Sequence, residues 1–159
     1  MKTCVFAGTF DPITNGHVYV IEKCLEMFDS VVIAIGENKD KSPLFDLDTR
    51  VELIKCAFKN QPKVQVKTFS GMLVDFMKRE KITINVRGVR NEGDYKYETT
   101  MAKFNSDMYG EIITVYIPTP CDLEHVSSSA VRNIISLNGE YEKYLPKAVY
   151  NKIKTIIKE

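Results

Sequence analysis

The stretch "CVFAGTFDPITNGHVYVIEKCLEMF", Cys4 to Phe28, joins an apolar run to a periodic one through a loop of small and polar residues. Cys4 to Ala7 reads as a buried strand. Val18, Ile21, Leu25 and Phe28 recur at the spacing of an amphipathic helix. Between them stand Gly8, Thr9, Asp11, Pro12, Thr14, Asn15, Gly16 and His17, one of only 2 histidines in the chain. A strand that runs straight into a helix is the first half of a βαβ unit, and the rest of the chain repeats the pattern.

Further β-branched runs occur at "SVVIAIG" (30–36), "KVQVKTF" (63–69), "ITINVR" (82–87) and "EIITVYI" (111–117). Helical stretches lie between them. Val51, Ile54 and Phe58 share a face, with Asp46 or Asp48 available as a cap. "GMLVDFMKRE" (71–80), "YKYETTMAKFNSDMY" (95–109) and "SSAVRNIISLN" supply three more, and Pro146 suits the first turn of a last helix, "KAVYNKIKTIIKE". Five alternations without repeats or linkers predict a single domain, 1–159. Its fold class is α/β: a Rossmann-like, doubly wound, parallel five-stranded sheet with helices on both faces. The continuous apolar strands imply burial on two sides.

The 159 residues carry a net charge of +1, so no global field favours nucleic acid or a membrane surface. No apolar run approaches the ~18 residues of a membrane-spanning helix, and the N-terminus shows no signal-peptide pattern. Cys4, Cys24, Cys56 and Cys121 are scattered, without a CxxC pair; they read as core or near-core thiols in a reducing compartment. The expectation is a cytoplasmic protein.

In doubly wound sheets, ligands bind at the carboxyl ends of the strands. "GTFDPITNGH", "GENKDKSPLF", "FSGM", "RGVRNEGDYKYE" and "PTPCDLEHVSSS" all follow strands and are expected to converge on one crevice. Gly8 lets backbone approach a ligand or take an unusual φ. Asn15, Gly16 and His17 open a helix, where free amides and the dipole favour an anion. The alternative to that role is a helix-capping or satisfied structural histidine. Arg87 and Arg90 flank Gly88, and arginine suits multi-donor contact with phosphate. Ser127, Ser128 and Ser129 open another helix, as caps or as a phosphate cradle.

"GTFDPITNGH" resembles the signature of the phosphopantetheine adenylyltransferase family, within the nucleotidylyltransferase superfamily. Most of the superfamily reads HxGH after the first strand, whereas this family reads TNGH, as Thr14 to His17 do here. "RGVRNEGDYKYE" is similar to the family's RGxR…D[FY]xYE segment and "VSSSAVR" to its [IV]SSSxV[KR] segment. Order and separation agree, so the resemblance covers essentially the whole chain.

The resemblance implies transfer of the adenylyl group of ATP to 4′-phosphopantetheine, giving dephospho-coenzyme A and pyrophosphate, directly and in line. A phosphate oxygen is already an adequate nucleophile, so catalysis reduces to positioning and electrostatics. By the same resemblance His17, Lys41 and Arg90 form the catalytic set. ATP meets Thr9, Phe10, His17, Gly88, Val89, Arg90, Glu98, Leu123, Glu124, His125, Val126, Ser127, Ser128 and Ser129. Thr9, Lys41, Leu73 and Arg87 meet the acceptor, with Met101 and Asn105 also falling along the family's pantetheine channel. Lys41 is preferred to Lys39 by register to Pro43 and Phe45, and a salt bridge from Glu98 to Arg90 competes with contact to ATP. Arg132 could add charge.

Two departures bear on the adenine: His125 stands where an aromatic or apolar residue is usual in the family, and Leu123 replaces a common aromatic. Mg²⁺ is expected on the ATP phosphates and not in a protein-built cage, with Asp11 the nearest carboxylate. Family members are homohexamers, which is carried over as an expectation. Two other readings are a nicotinate or nicotinamide mononucleotide adenylyltransferase or cytidylyltransferase, against which Thr14 and the RGxR segment speak, and a nucleotide-binding module that has lost catalysis. The second predicts erosion of the charged set, which is intact.

Overall fold

The computed structural model describes residues 1–37 and 42–158. Lys39 and Lys41 lie outside them. Five strands, β1 (Thr3–Gly8), β2 (Ser30–Glu37), β3 (Val64–Ser70), β4 (Ile84–Val89) and β5 (Ile113–Pro118), form one parallel sheet in the order β3-β2-β1-β4-β5. Six helices alternate with them: α1 (Asn15–Met27), α2 (Leu47–Ala57), α3 (Leu73–Glu80), α4 (Glu92–Met108), α5 (Ser128–Ser136) and α6 (Lys147–Lys158). The chain winds outward from β1 to β3, returns, and continues from β4 to β5 on the other side. The strand order therefore reverses between β1 and β4, where a crevice opens beyond the carboxyl ends.

Strand register sorts the side chains onto two faces. Cys4, Phe6, Val31, Ile33, Ile35 and Val86 meet α1, α2, α5 and α6 through Ile21, Cys24, Leu53, Ile54, Val131, Val149 and Ile153. Val5, Ala7, Val32 and Ala34 meet α3 through Val74, Phe76 and Met77. Two-sided burial holds for β1 and nearly all of β2 but not for β3 and β5. They are the sheet's edges and expose part of their length, Ile113 to 60%.

Smaller differences have local causes. The buried face of α2 is Arg50, Leu53 and Ile54, one residue off the expected stripe, because Arg50 turns inward. Asp46, not Asp48, caps α2 by accepting the Thr49 N–H at 2.8 Å. Pro146 sits just before α6 and accepts from the Tyr150 N–H at 2.9 Å, so it starts the helix from outside it. Cys4 and Cys24 are core residues and their contact holds the Cys4 thiol well above its usual pKa, whereas Cys121 is exposed and belongs to no core.

Candidate active site

The β1–α1 loop folds around Phe10, which adopts a left-handed φ of 49° and turns its ring into the core. That ring takes the space a side chain at position 8 would need: a Cβ on Gly8 would lie 3.1 Å from Phe10 Cζ. Gly8 is thus small because of Phe10. Phe10 also packs edge-on against His17, ring centroids 5.0 Å apart.

His17 is held by its own helix. The Thr14 N–H donates to His17 Nδ1 at 3.0 Å, and the Thr14 hydroxyl lies 3.1 Å from the same nitrogen. Capping and presentation to the crevice are therefore one arrangement and not rivals. Burial, then the charges of Arg90 and Arg87, push the His17 pKa down to about 4. With Nδ1 accepting, the neutral ring carries its proton on Nε2 and offers one N–H donor.

His17 lines a cavity of about 380 Å³ at the switch point, with Thr9, Arg87, Gly88, Arg90, Ser127 and Arg132 among its walls. The volume suits a small organic ligand. Beside it opens a second cavity of about 670 Å³, reaching Gly36, Phe69, Ser70, Gly71 and Leu73. Ala7, Gly8, Thr9 and Arg87 line both. The five strand-end loops thus form two adjoining spaces: four loops build the first and the β3–α3 loop belongs to the second.

Arg87 reaches along the sheet to donate to the Ala7 carbonyl at 2.7 Å. It also makes a two-pronged pair with Glu98, Nε to Oε2 at 2.8 Å and Nη2 to Oε1 at 2.7 Å. Glu98 therefore pairs with Arg87 and not with Arg90, whose Nε donates to Asp94 Oδ2 at 2.9 Å. Spacing explains the exchange: Asp94 and Glu98 stand one turn apart on α4, and Asp94 meets Arg90 just past the end of β4 while Glu98 meets Arg87 within it. Gly88 points the other way, toward α1, where a Cβ would come within 2.9 Å of Val20 Cγ2. It is small for helix packing as well as for its place in the cavity wall.

The three serines differ. Ser127 caps α5, its Oγ accepting the Ala130 N–H at 3.1 Å. Ser128 Oγ donates to the Pro12 carbonyl at 2.8 Å, and Ser129 Oγ accepts from Arg132 Nη2 at 3.2 Å. Only the Ser128 hydroxyl ties α5 to the β1–α1 loop, so the helix's first amides and the hydroxyl hydrogens of Ser127 and Ser129 are left to meet an anion. Val126 joins them in the cavity wall. Leu123, Glu124 and His125 do not: they form a turn, the Val126 N–H donating to the Leu123 carbonyl, with the His125 ring against Tyr144. Val89 is likewise outside both linings. So are Met101 and Asn105, which lie further along α4.

Two residues beneath the site carried no reading of this kind. Asp11, 3% exposed, accepts the Leu44 N–H at 2.8 Å and the Phe45 N–H at 2.9 Å, while Arg132 Nη1 donates to its backbone carbonyl at 2.8 Å. Arg50, 5% exposed, donates through Nη1 to the Thr9 carbonyl at 2.9 Å and through Nε to the Phe45 carbonyl at 3.1 Å. Together they fasten the segment leading into α2 to the β1–α1 loop. The available signal for Arg50 was a charged residue in register with Leu53 and Ile54.

A crevice walled by arginines, a neutral histidine donor and two helix N-termini can hold polyphosphate and stabilise charge on a phosphoryl group. The carboxylates in its wall are engaged: Asp11 by amides, Asp94 by Arg90, Glu98 by Arg87. Among the described residues no group of 3 or more His, Cys, Asp or Glu could hold a metal ion, and no helix is long and apolar enough to cross a membrane.

Residues 5–134 match the cytidylyltransferase-like family, and the chain belongs to it. A solved bifunctional NMN adenylyltransferase/ADP ribose pyrophosphatase from Francisella tularensis shares the fold, with a TM-score of 0.72 at 14% identity, over 91% of this chain and 44% of that one. Within the class, the chain belongs to the phosphopantetheine adenylyltransferases. It is 39% identical over 145 residues to the phosphopantetheine adenylyltransferase of Nautilia profundicola, covering 91% of this chain and 94% of the relative. It is 40% identical over 149 residues to that of Heliobacterium modesticaldum, covering 94% and 89%.

Proposed function

We infer that the chain transfers the adenylyl group of ATP to 4′-phosphopantetheine, releasing pyrophosphate and forming dephospho-coenzyme A. The observation that carries this reading is the pair of adjoining cavities sharing Thr9 and Arg87: one is walled by phosphate-seeking groups, the other extends past Leu73 toward the sheet edge. ATP occupies the first, between the N-termini of α1 and α5. The pantetheine arm lies in the second and brings its phosphate to the shared wall, where Arg87 and Thr9 meet it. Lys41, outside the described residues, is the further cation assigned to the acceptor phosphate.

An oxygen of the acceptor phosphate attacks the α-phosphorus as the bond from that phosphorus to the bridging oxygen breaks. Pyrophosphate leaves with the bonding pair, and no enzyme group is covalently modified. Because the acceptor oxygen is already anionic, no side chain has to remove a proton. His17 donates its Nε2 hydrogen to the oxygens that gain charge, and Arg90, Arg132 and the first amides of α5 hold the departing phosphates. Mg²⁺ accompanies ATP as a hard cation on its phosphates, where it neutralises charge; the engaged carboxylates are consistent with an ion carried by substrate.

The reading extends to assembly. Tyr97, Met101, Phe104 and Met108 form one stripe along α4, each between 38% and 63% exposed, and α4 buries none of its 17 residues. A second copy against that stripe, as in a homohexamer, would cover it. The substrates, intermediates of central metabolism, support a cytoplasmic location.

His17→Ala tests the reading. ATP binding by calorimetry is expected to change little, because the arginines and helix amides remain, while pyrophosphate release falls roughly 10²–10³-fold. Undiminished turnover would remove His17 from the mechanism.

A further inference from the structure

The family resemblance assigns Glu98 to ATP, but its position in the structure answers to a different partner. Both carboxylate oxygens face Arg87, at 2.7 and 2.8 Å, and the pair is largely withdrawn from solvent, with side-chain exposures of 27% for Arg87 and 13% for Glu98. A guanidinium has five N–H donors. Glu98 takes one on Nε and one on Nη2, and the Ala7 carbonyl takes one on Nη1. One N–H is then left on each terminal nitrogen of a side chain that lines both cavities. Two such donors match two oxygens of a phosphate.

We propose that Glu98, in the wall of the first cavity, is a positioning residue which acts through Arg87, locking the guanidinium so that its two remaining N–H groups meet the acceptor phosphate. The proposal rests on the adenylyl-transfer reading and specifies how its acceptor side is set. Arg87 without this brace retains only the Ala7 contact to fix a long, rotatable side chain with a charged head. Its charge would persist, but its fork would no longer be aimed. The brace comes from α4, whose other links to the sheet are few: Tyr95 packs edge-on against Tyr116, and the Tyr116 hydroxyl reaches the Glu98 carbonyl at 3.5 Å.

The test is initial-rate pyrophosphate release by the full chain, varying ATP and phosphopantetheine separately, for the unaltered protein, Glu98→Gln, Arg87→Lys and the double variant. Glutamine keeps the shape and one acceptor, so folding is little disturbed. Glu98→Gln is expected to raise the acceptor KM about ten-fold, to leave the ATP KM within about two-fold, and to add nothing on top of Arg87→Lys. Glu98→Asp, which keeps the charge on a shorter arm, should recover part of the loss. A rise in the ATP KM with the acceptor KM unchanged would overturn the proposal, as would full additivity with Arg87→Lys. Either result requires the unaltered chain to turn over, whereas an unaltered chain that releases no pyrophosphate overturns the adenylyl-transfer reading itself and this proposal with it.

Discussion

His17 meets two requirements with one ring: Nδ1 closes the first turn of α1 by accepting the Thr14 N–H, and Nε2 keeps a hydrogen for the crevice. Protonating the ring would add a hydrogen to Nδ1 and break the cap while placing a third positive charge beside Arg87 and Arg90. Burial, then the charges of Arg90 and Arg87, hold the pKa down to about 4. The sign for stability follows. A histidine whose folded pKa lies below its unfolded one favours folding fully above pH 6.5, and that contribution is lost as pH falls toward about 4. In the substrate-free protein, NMR titration of the His17 ring is expected to show a midpoint near 4. A midpoint at 6.5 or above would mean that the ring is solvated and not held as described.

His17 was legible as a site residue because a rare residue type stood at a helix start. Its tautomer was not, since that depends on which nitrogen faces Thr14. The glycines were legible in part. Gly8 and Gly88 suggested ligand approach, and both line the cavity, but each is also small because of a neighbouring side chain, Phe10 or Val20, which only the folded chain brings there.

Elements converge on the site through buried polar ties that leave little trace in a linear pattern. Strand and helix order, and the crevice at the sheet's carboxyl edge, follow from alternation and the switch-point rule. The ties do not: Asp11 grips amides 33 and 34 residues away, and Arg50 reaches 41 residues back to Thr9. Replacing Asp11 by alanine leaves the amides of Leu44 and Phe45 without their acceptor in a dry setting. A loss of roughly 2–5 kcal/mol is expected in urea unfolding, with reduced turnover. Stability unchanged by Asp11→Ala would show that the segment into α2 is held by other means. Ser127→Ala is expected to cost only about 1 kcal/mol, the value of one helix cap. A drop in ATP affinity without a loss of stability would instead mean that the Ser127 hydroxyl serves the ligand.

At the scale of the whole molecule, the apolar stripe of α4 and Ile113 on the edge strand β5 are left exposed by the single chain. Periodicity could not single out this stripe, because Met101 and Phe104 fit an intramolecular core as well as an intermolecular one. A sizing column is expected to elute the protein well above its 18.2 kDa chain mass, and Phe104→Glu to shift it toward the monomer. Elution of the unaltered protein at chain mass would leave α4 facing solvent. Beyond assembly, one chemical claim is central: the crevice joins the adenylyl group of ATP to a phosphate delivered through the second cavity. Pyrophosphate release from ATP and Mg²⁺, measured with phosphopantetheine and with nicotinamide mononucleotide in parallel, tests it most directly. Turnover with phosphopantetheine and none above background with the mononucleotide is the expected result, and turnover with the mononucleotide alone would contradict it.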